Sequence, residues 1–206
     1  MVGEQTPSRP GRWQVPTLAL LFFGPVILAW LLVVLGWYPE ATTNQGRLVD
    51  PPKQLQTDGW RWEDGTGFDS DWFKGRWSVL FLQQGDCGAA CRSLLDKLAR
   101  ARLALDKDMT RVALLLGMAG DGNQPSNMPV RLLRLPPDQL GDLISEAPSR
   151  RPEQAIYVVD SDGFAMMSYP LPLKTEGLVE DLEQLLDNAD KDVERIQRLR
   201  HEGKGQ

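Results

Sequence analysis

From Trp13 to Pro39 the chain carries no charged residue, and between Val15 and Tyr38 it is overwhelmingly apolar. A helix needs roughly 20 such residues to cross the hydrocarbon core of a bilayer. Trp13, Trp30, Trp37 and Tyr38 lie mostly towards the ends of the run, where amphipathic rings meet the headgroups. Gly24 and Pro25 would cripple a soluble helix but are tolerated in a membrane one. A cleaved signal peptide has an apolar region of about 7–15 residues and a small-residue cleavage site. This run is longer and passes into Gly36-Trp37-Tyr38-Pro39, so the sequence predicts an uncleaved single transmembrane helix over 15–38. Arg9 and Arg12 precede it with only Glu4 opposing them, whereas Glu40 follows it and the next cation is Arg47. The positive-inside bias then makes 1–14 a cytoplasmic tail and puts the rest of the chain outside. For a bacterial inner membrane that is the periplasm, where disulfides persist.

The 206 residues leave room beyond the anchor for one domain of ordinary size. A net charge of −5, with no Lys/Arg cluster, argues against a nucleic-acid partner. Residues 39–56, rich in Pro, Thr, Asn and Gln, read as a linker. The stretch 57–72 pairs Trp60 and Trp62 with Gly65 and Gly67, a hairpin pattern.

Beyond residue 75 the periodicities sharpen. "RWSVLFLQQ" (76–84), an apolar run between Gly75 and Gly85, predicts a buried strand. Leu94, Leu95, Leu98, Ala101 and Leu105 share one helical face, with Asp86 placed to cap that helix. "MTRVALLLGMAG" (109–120) predicts a second buried strand, and "LPPDQLGDLI" (135–144) a short helix with Pro137 near its first position. "QAIYVVDSDGFAMMSYP" (154–170) predicts a hairpin turning at Asp160–Gly163, and Leu178, Leu182, Leu185 and Leu186 mark a terminal helix. Strand, helix, strand, helix, hairpin, helix is the order of an α/β sandwich with a mixed central sheet. Thioredoxin-like domains have this order, which sets the expected domain at 57–190 and a charged helical tail at 191–206.

Both cysteines lie in "QQGDCGAAC" (83–91), where the first of these strands turns into its helix. Two thiols at i and i+4 form a redox couple, half of a metal site, or a static staple. A staple is a poor explanation, since a three-residue loop gains little closure entropy. At a helix start, backbone N–H groups and the macrodipole favour a thiolate, which lowers the thiol pKa. Cys91, one turn on, lies on the same face. The spacing therefore favours a reversible dithiol/disulfide, with Cys87 as the exposed attacking thiol.

The segments "FKGRWSVLFLQQGDCGAAC" (73–91) and "AIYVVDSDGFAMMSYP" (155–170) resemble the Sco/SenC group, membrane-anchored thioredoxin-like factors of cytochrome c oxidase assembly. The resemblance implies a protein client, an oxidase subunit or a copper chaperone. It also implies copper as the one candidate cofactor, with Cys87 and Cys91 as its ligands. The group's third ligand is a histidine five positions before the hairpin tyrosine. Here that position is Pro152, and the sole histidine is His201 in the tail. Met118, Met166 and Met167 stand in apolar surroundings and read as core fillers. In thioredoxins a cis-proline before the hairpin lies against the disulfide, and Pro152 falls near that place, so it joins Cys87 and Cys91 as an expected site residue. Two functions follow: a membrane-tethered thiol–disulfide factor serving an oxidase copper site, or a non-catalytic assembly scaffold or Cu(I) carrier. "GMAGDGNQP" (117–125) lacks the Lys and Ser/Thr of a phosphate loop, which excludes nucleotide binding on this motif.

Overall fold

The first helix, α1 (Gln14–Val34), follows from the apolar run and keeps Pro25 within it. A computed structural model describes residues 14–35, 44–120, 129–148 and 151–202. It divides the chain into two units, Met1–Thr42 and Thr43–Gln206, each taken here by itself. In the first unit Leu20, Phe22 and Ile27 of α1 are exposed. Among the described residues no helix is long and apolar enough to cross a membrane. The span expected over 15–38 therefore rests on the sequence, and its end at 36–38, like the tail 1–13, lies outside the described residues.

The second unit opens with β1 (Arg47–Gln54), then β2 (Arg61–Trp62), a 3-10 turn at Ser70–Phe73 and β3 (Trp77–Gln83). There follow α2 (Ala89–Ala104), a 3-10 turn at Asp106–Arg111, β4 (Val112–Met118), β5 (Arg131–Arg134) and α3 (Pro137–Glu146). The hairpin β6 (Gln154–Val159) and β7 (Phe164–Tyr169) leads into α4 (Thr175–Glu202). The strands form one mixed sheet in the order β1-β7-β6-β3-β4-β5-β2. β3, β4 and β5 are parallel, whereas β6, β7, β1 and β2 join antiparallel.

Both faces of β3 are covered, so all its residues but the half-buried Trp77 are buried and the strand reads as a continuous apolar run. Val79 and Phe81 face a cluster built with α2 and α4, while Leu80 and Leu82 face one built with α3 and the aromatic loops. Gly117 in β4 is required by close approach, because a Cβ there would meet Leu82 Cδ2 at 2.6 Å. The hairpin turn is held by Asp160, whose Oδ1 accepts from the Asp162 and Phe164 amides at 2.9 and 2.8 Å. Gly163 takes φ +83° there, a region open to glycine.

Two expectations need correction. The stretch 39–56 is not simply a linker: β1 occupies Arg47–Gln54 and pairs with β7, while 39–43 lies outside the described residues. Pro51 and Pro52 are tolerated because β1 is an edge strand with a register shift between Leu48 and Lys53. The predicted hairpin at 57–72 forms only as a tight loop, with Phe68 N–H donating to Trp60 O and Trp62 N–H to Thr66 O. Beyond that loop, Trp62 pairs with β5. Asp181 ties the start of the unit to α4: its buried carboxylate accepts from the Gln45 and Gly46 amides and from Tyr169 Oη.

Candidate functional site

Gly85, at φ +75°, turns the chain off the end of β3, and Asp86, Cys87 and Gly88 lead into α2. The N-cap of α2 is Gly88, which has no side chain to bond the first-turn amides. The helix therefore begins at Ala89, not at Cys87, and Asp86 stands two residues ahead of the cap position expected for it. Cys91 is the third residue of the first turn. A disulfide joins it to Cys87 across a Cα–Cα distance of 5.1 Å, which keeps both sulfurs at the amino end of α2.

The expectation of an exposed Cys87 is also corrected. Cys87 is 5% and Cys91 2% exposed, and both belong to the aliphatic cluster that holds Phe81, Leu94, Leu95 and Met118. Their cover is thin. Residues 84–86 and 88–90 on either side of Cys87 are exposed, and a Cβ added at Gly88 would meet nothing within 4 Å. Cys87 is thus the slightly more exposed residue of a buried pair.

Pro152 is brought to this end of the sheet but not in the expected form. Glu153 O accepts from the Gln84 amide at 2.8 Å, which ties the loop before β6 to the segment carrying Cys87. Among the described residues the cis peptides are Asp50–Pro51 and Leu171–Pro172, so Arg151–Pro152 is trans. The reason is local: the Gln154 amide bonds Arg151 O at 3.3 Å, placing Pro152 second in a four-residue turn. Proline is trans in that position, whereas a cis-proline belongs third.

Beside the first turns of α2 lies a cleft of about 120 Å³. Ala90, Leu94 and Lys97 form its helix wall, Arg151 and Gln154 the wall at the start of β6, and segment 171–173 the third side. A buried amide pair at its edge has no local signature in the sequence. Gln83 and Gln154 face each other across β3 and β6. Gln154 Nε2 donates to Gln83 Oε1 at 2.7 Å, and Gln83 Nε2 donates to Gln84 O at 2.6 Å. Each glutamine closes one end of an apolar run, which would have marked them only to a reader who already knew that the two strands pair.

The donor set does not suit copper. The two sulfurs are bonded to each other, and among the described residues no three His, Cys, Asp or Glu side chains converge. Pro152 offers no donor atom where a third ligand would stand. Met118 and Met167 are fully buried core residues and Met166 packs against them, as the sequence reading expects. Trp60 is buried, and Trp62, Trp72 and Trp77 pack half-buried against the two clusters.

Against known proteins, the family described as "Transmembrane-like, thioredoxin-like, C-terminal domain" matches residues 77–189. No curated protein matches the chain by sequence. Among solved structures, yeast Sco1 superposes with a TM-score of 0.50 at 15% identity, covering 68% of this chain and 95% of that one. A SCO1/SenC family lipoprotein from Bacillus anthracis str. Ames gives 0.46 at 15% identity, covering 69% and 96%. A thiol:disulfide interchange protein from Bacteroides sp. gives 0.45 at 15%, covering 69% and 90%. With the family match, the likeness to yeast Sco1 establishes the fold, a thioredoxin-like sandwich, and nothing finer.

Proposed function

The chain belongs to the transmembrane-like, thioredoxin-like C-terminal domain family, and from that premise we propose that it is a thiol–disulfide exchange factor acting on a protein client. The observation that carries this reading is the Cys87–Cys91 disulfide at the junction of β3 and α2, flanked on both sides by exposed residues. In the reduced protein the Cys87 thiolate attacks one sulfur of a client disulfide. The client's S–S bond breaks, its other sulfur leaves as a thiolate and takes a proton, and a mixed disulfide forms. The Cys91 thiolate then attacks Cys87 Sγ and releases the second client thiol. Two electrons have passed to the client, and the Cys87–Cys91 bond is made. The amino end of α2 favours the Cys87 thiolate over the thiol. No step passes through a metal.

The proposal extends to place and partner. Anchoring by a single helix over 15–38, with the domain in the periplasm, is supported by the uncharged run and the arginines before it. The exposed apolar side chains of α1 agree, since a bilayer would cover them. A client at an oxidase copper site is supported by the resemblance to the Sco/SenC group.

The test uses the full chain in detergent with oxidised model peptides. Both proteins are first reduced with dithiothreitol and desalted; Cys91→Ser, which cannot resolve, should accumulate a mixed disulfide at Cys87 by mass spectrometry, while the unaltered chain reduces one equivalent of peptide and closes its Cys87–Cys91 bond. Failure of both proteins to react with any disulfide would end the reading.

A further inference from the structure

A second grouping of side chains stands on the face of the sheet away from the disulfide. Trp62 and Trp72 pack against the aromatic cluster, whereas Cys87 and Cys91 belong to the aliphatic one. Trp62 lies opposite Leu133 of β5, and Arg131, two residues before Leu133 in that strand, shares its face. Arg131 Cζ is 3.8 Å from the centre of the Trp62 ring and 5.5 Å from that of Trp72, while Arg76 Cζ is 4.6 Å from the Trp72 centre. Both indoles are half-buried and both arginines are exposed. Stacking fixes each guanidinium over a ring and leaves its N–H groups unspent. Among the described residues neither arginine makes an ion pair or a side-chain hydrogen bond.

Acids of the same loops are engaged elsewhere. Asp71 pairs with Lys74 at 2.7 Å, and Asp69 Oδ1 accepts from the Asp71 amide at 2.9 Å. Asp64 senses the Arg131 charge, but its Oδ1 accepts from the Thr66 amide and hydroxyl at 2.9 and 2.6 Å. Two cations thus gather about one indole without a bound carboxylate, although acidic residues outnumber basic ones, 28 to 23, in the chain.

We propose that the surface formed by Arg76, Trp72, Trp62 and Arg131 docks an acidic segment of a protein partner, each guanidinium receiving a carboxylate while the indoles meet the apolar side chains beside it. A planar guanidinium matches a carboxylate through two parallel hydrogen bonds. One already held against a ring gives up little further rotamer freedom when it binds. Tryptophan and arginine are also the residues in which protein interfaces concentrate their energy. The surface lies at the β2–β5 edge of the sheet, opposite the β1 edge by which the chain enters the unit.

The test uses the full chain in phosphatidylcholine nanodiscs, oxidised throughout. The probe is a rhodamine-labelled peptide of glutamate alternating with leucine, followed by fluorescence anisotropy. It should bind at low salt and weaken as salt rises, and its lysine counterpart should not bind. Arg76→Glu/Arg131→Glu should weaken binding about tenfold, as the loss of two exposed charge pairs implies. Arg76→Gln/Arg131→Gln, which removes the charges without reversing them, should act in the same direction by about fivefold. Arg92→Glu/Arg100→Glu on α2 makes the same change in net charge and should leave binding nearly unaltered.

Absence of binding would overturn the proposal. An equal loss in the two glutamate variants would do so too, since bulk charge would then be the cause. Flotation of the nanodiscs with phosphatidylglycerol vesicles, abolished by Arg76→Glu/Arg131→Glu, would replace the protein partner by a lipid surface and overturn it as well. No arm breaks the disulfide, so each result leaves the exchange reading untouched.

Discussion

The two faces of the central sheet are made from alternate residues of the same strands and are closed in different ways. On one, Leu80, Leu82 and Leu115 pack with Trp60, Phe68, Phe73 and α3. Aromatic rings there meet edge to face, Trp62 with Phe68 at 5.1 Å and Phe68 with Phe73 at 5.3 Å. Gln139 locks that corner by accepting from the Trp60 indole at 2.7 Å and donating to Asp58 O at 3.1 Å. On the other face, Val79, Phe81 and Leu116 pack with aliphatic residues of α2 and α4, and the sulfur pair sits within that cluster. The aromatic face is pinned at one corner by side-chain hydrogen bonds, whereas the aliphatic face carries the bond that thiol–disulfide exchange opens and closes.

The largest effect that tests this contrast is Trp60→Ala. It empties a site that is 2% exposed, and an aromatic truncation of this kind costs about 3–5 kcal/mol. Denaturant unfolding of the full chain should register that loss with the reduction potential of the disulfide unmoved. A shift in potential would show that the faces are coupled. Next in size is Asp181→Ala on the disulfide face, which strands the Gln45 and Gly46 amides and Tyr169 Oη. Leaving such buried donors unpaired should cost about 3 kcal/mol, read in the same way.

Reduction of the disulfide should cost less, about 2 kcal/mol on the loop-closure account for so short a ring. Unfolding with and without reductant measures it directly. A loss as large as that of Trp60→Ala would make the bond a staple.

High pH compares the faces through one tyrosine on each. Burial, then the nearby Glu146 charge, holds Tyr157 well above the ordinary tyrosine range. Burial, then the Asp181 carboxylate, does the same for Tyr169. In both cases the fold favours the protonated ring. Their contribution is therefore complete below the unfolded value of about 10 and is lost as pH rises above it. Of the three tyrosines in the chain, these two should ionise only as the domain unfolds, which ultraviolet titration beside circular dichroism will show.

Much of the sandwich was legible because β3, α2, β4, the hairpin and α4 each carry a periodicity of their own. β1 and β5 were not. β1 contains two prolines and acquires its pairing from β7, over a hundred residues away, while β5 is four residues long with an arginine at each end. The cysteine pair was visible from spacing, but its burial was not, because Gly88, Ala89 and Ala90 carry no sign of what covers a sulfur. Pro152 stands in a loop tied to Gln84, and its isomer is set by the Arg151–Gln154 turn, which spacing does not reveal. The amide pair and the cleft depend on strands meeting across the sheet and left no local mark.

Redox titration of the full chain against thiol–disulfide buffers tests the central claim most directly. Reversible exchange predicts a potential within the working range of thioredoxin-like factors, between about −270 and −120 mV. A potential below about −300 mV, where structural disulfides lie, would contradict it.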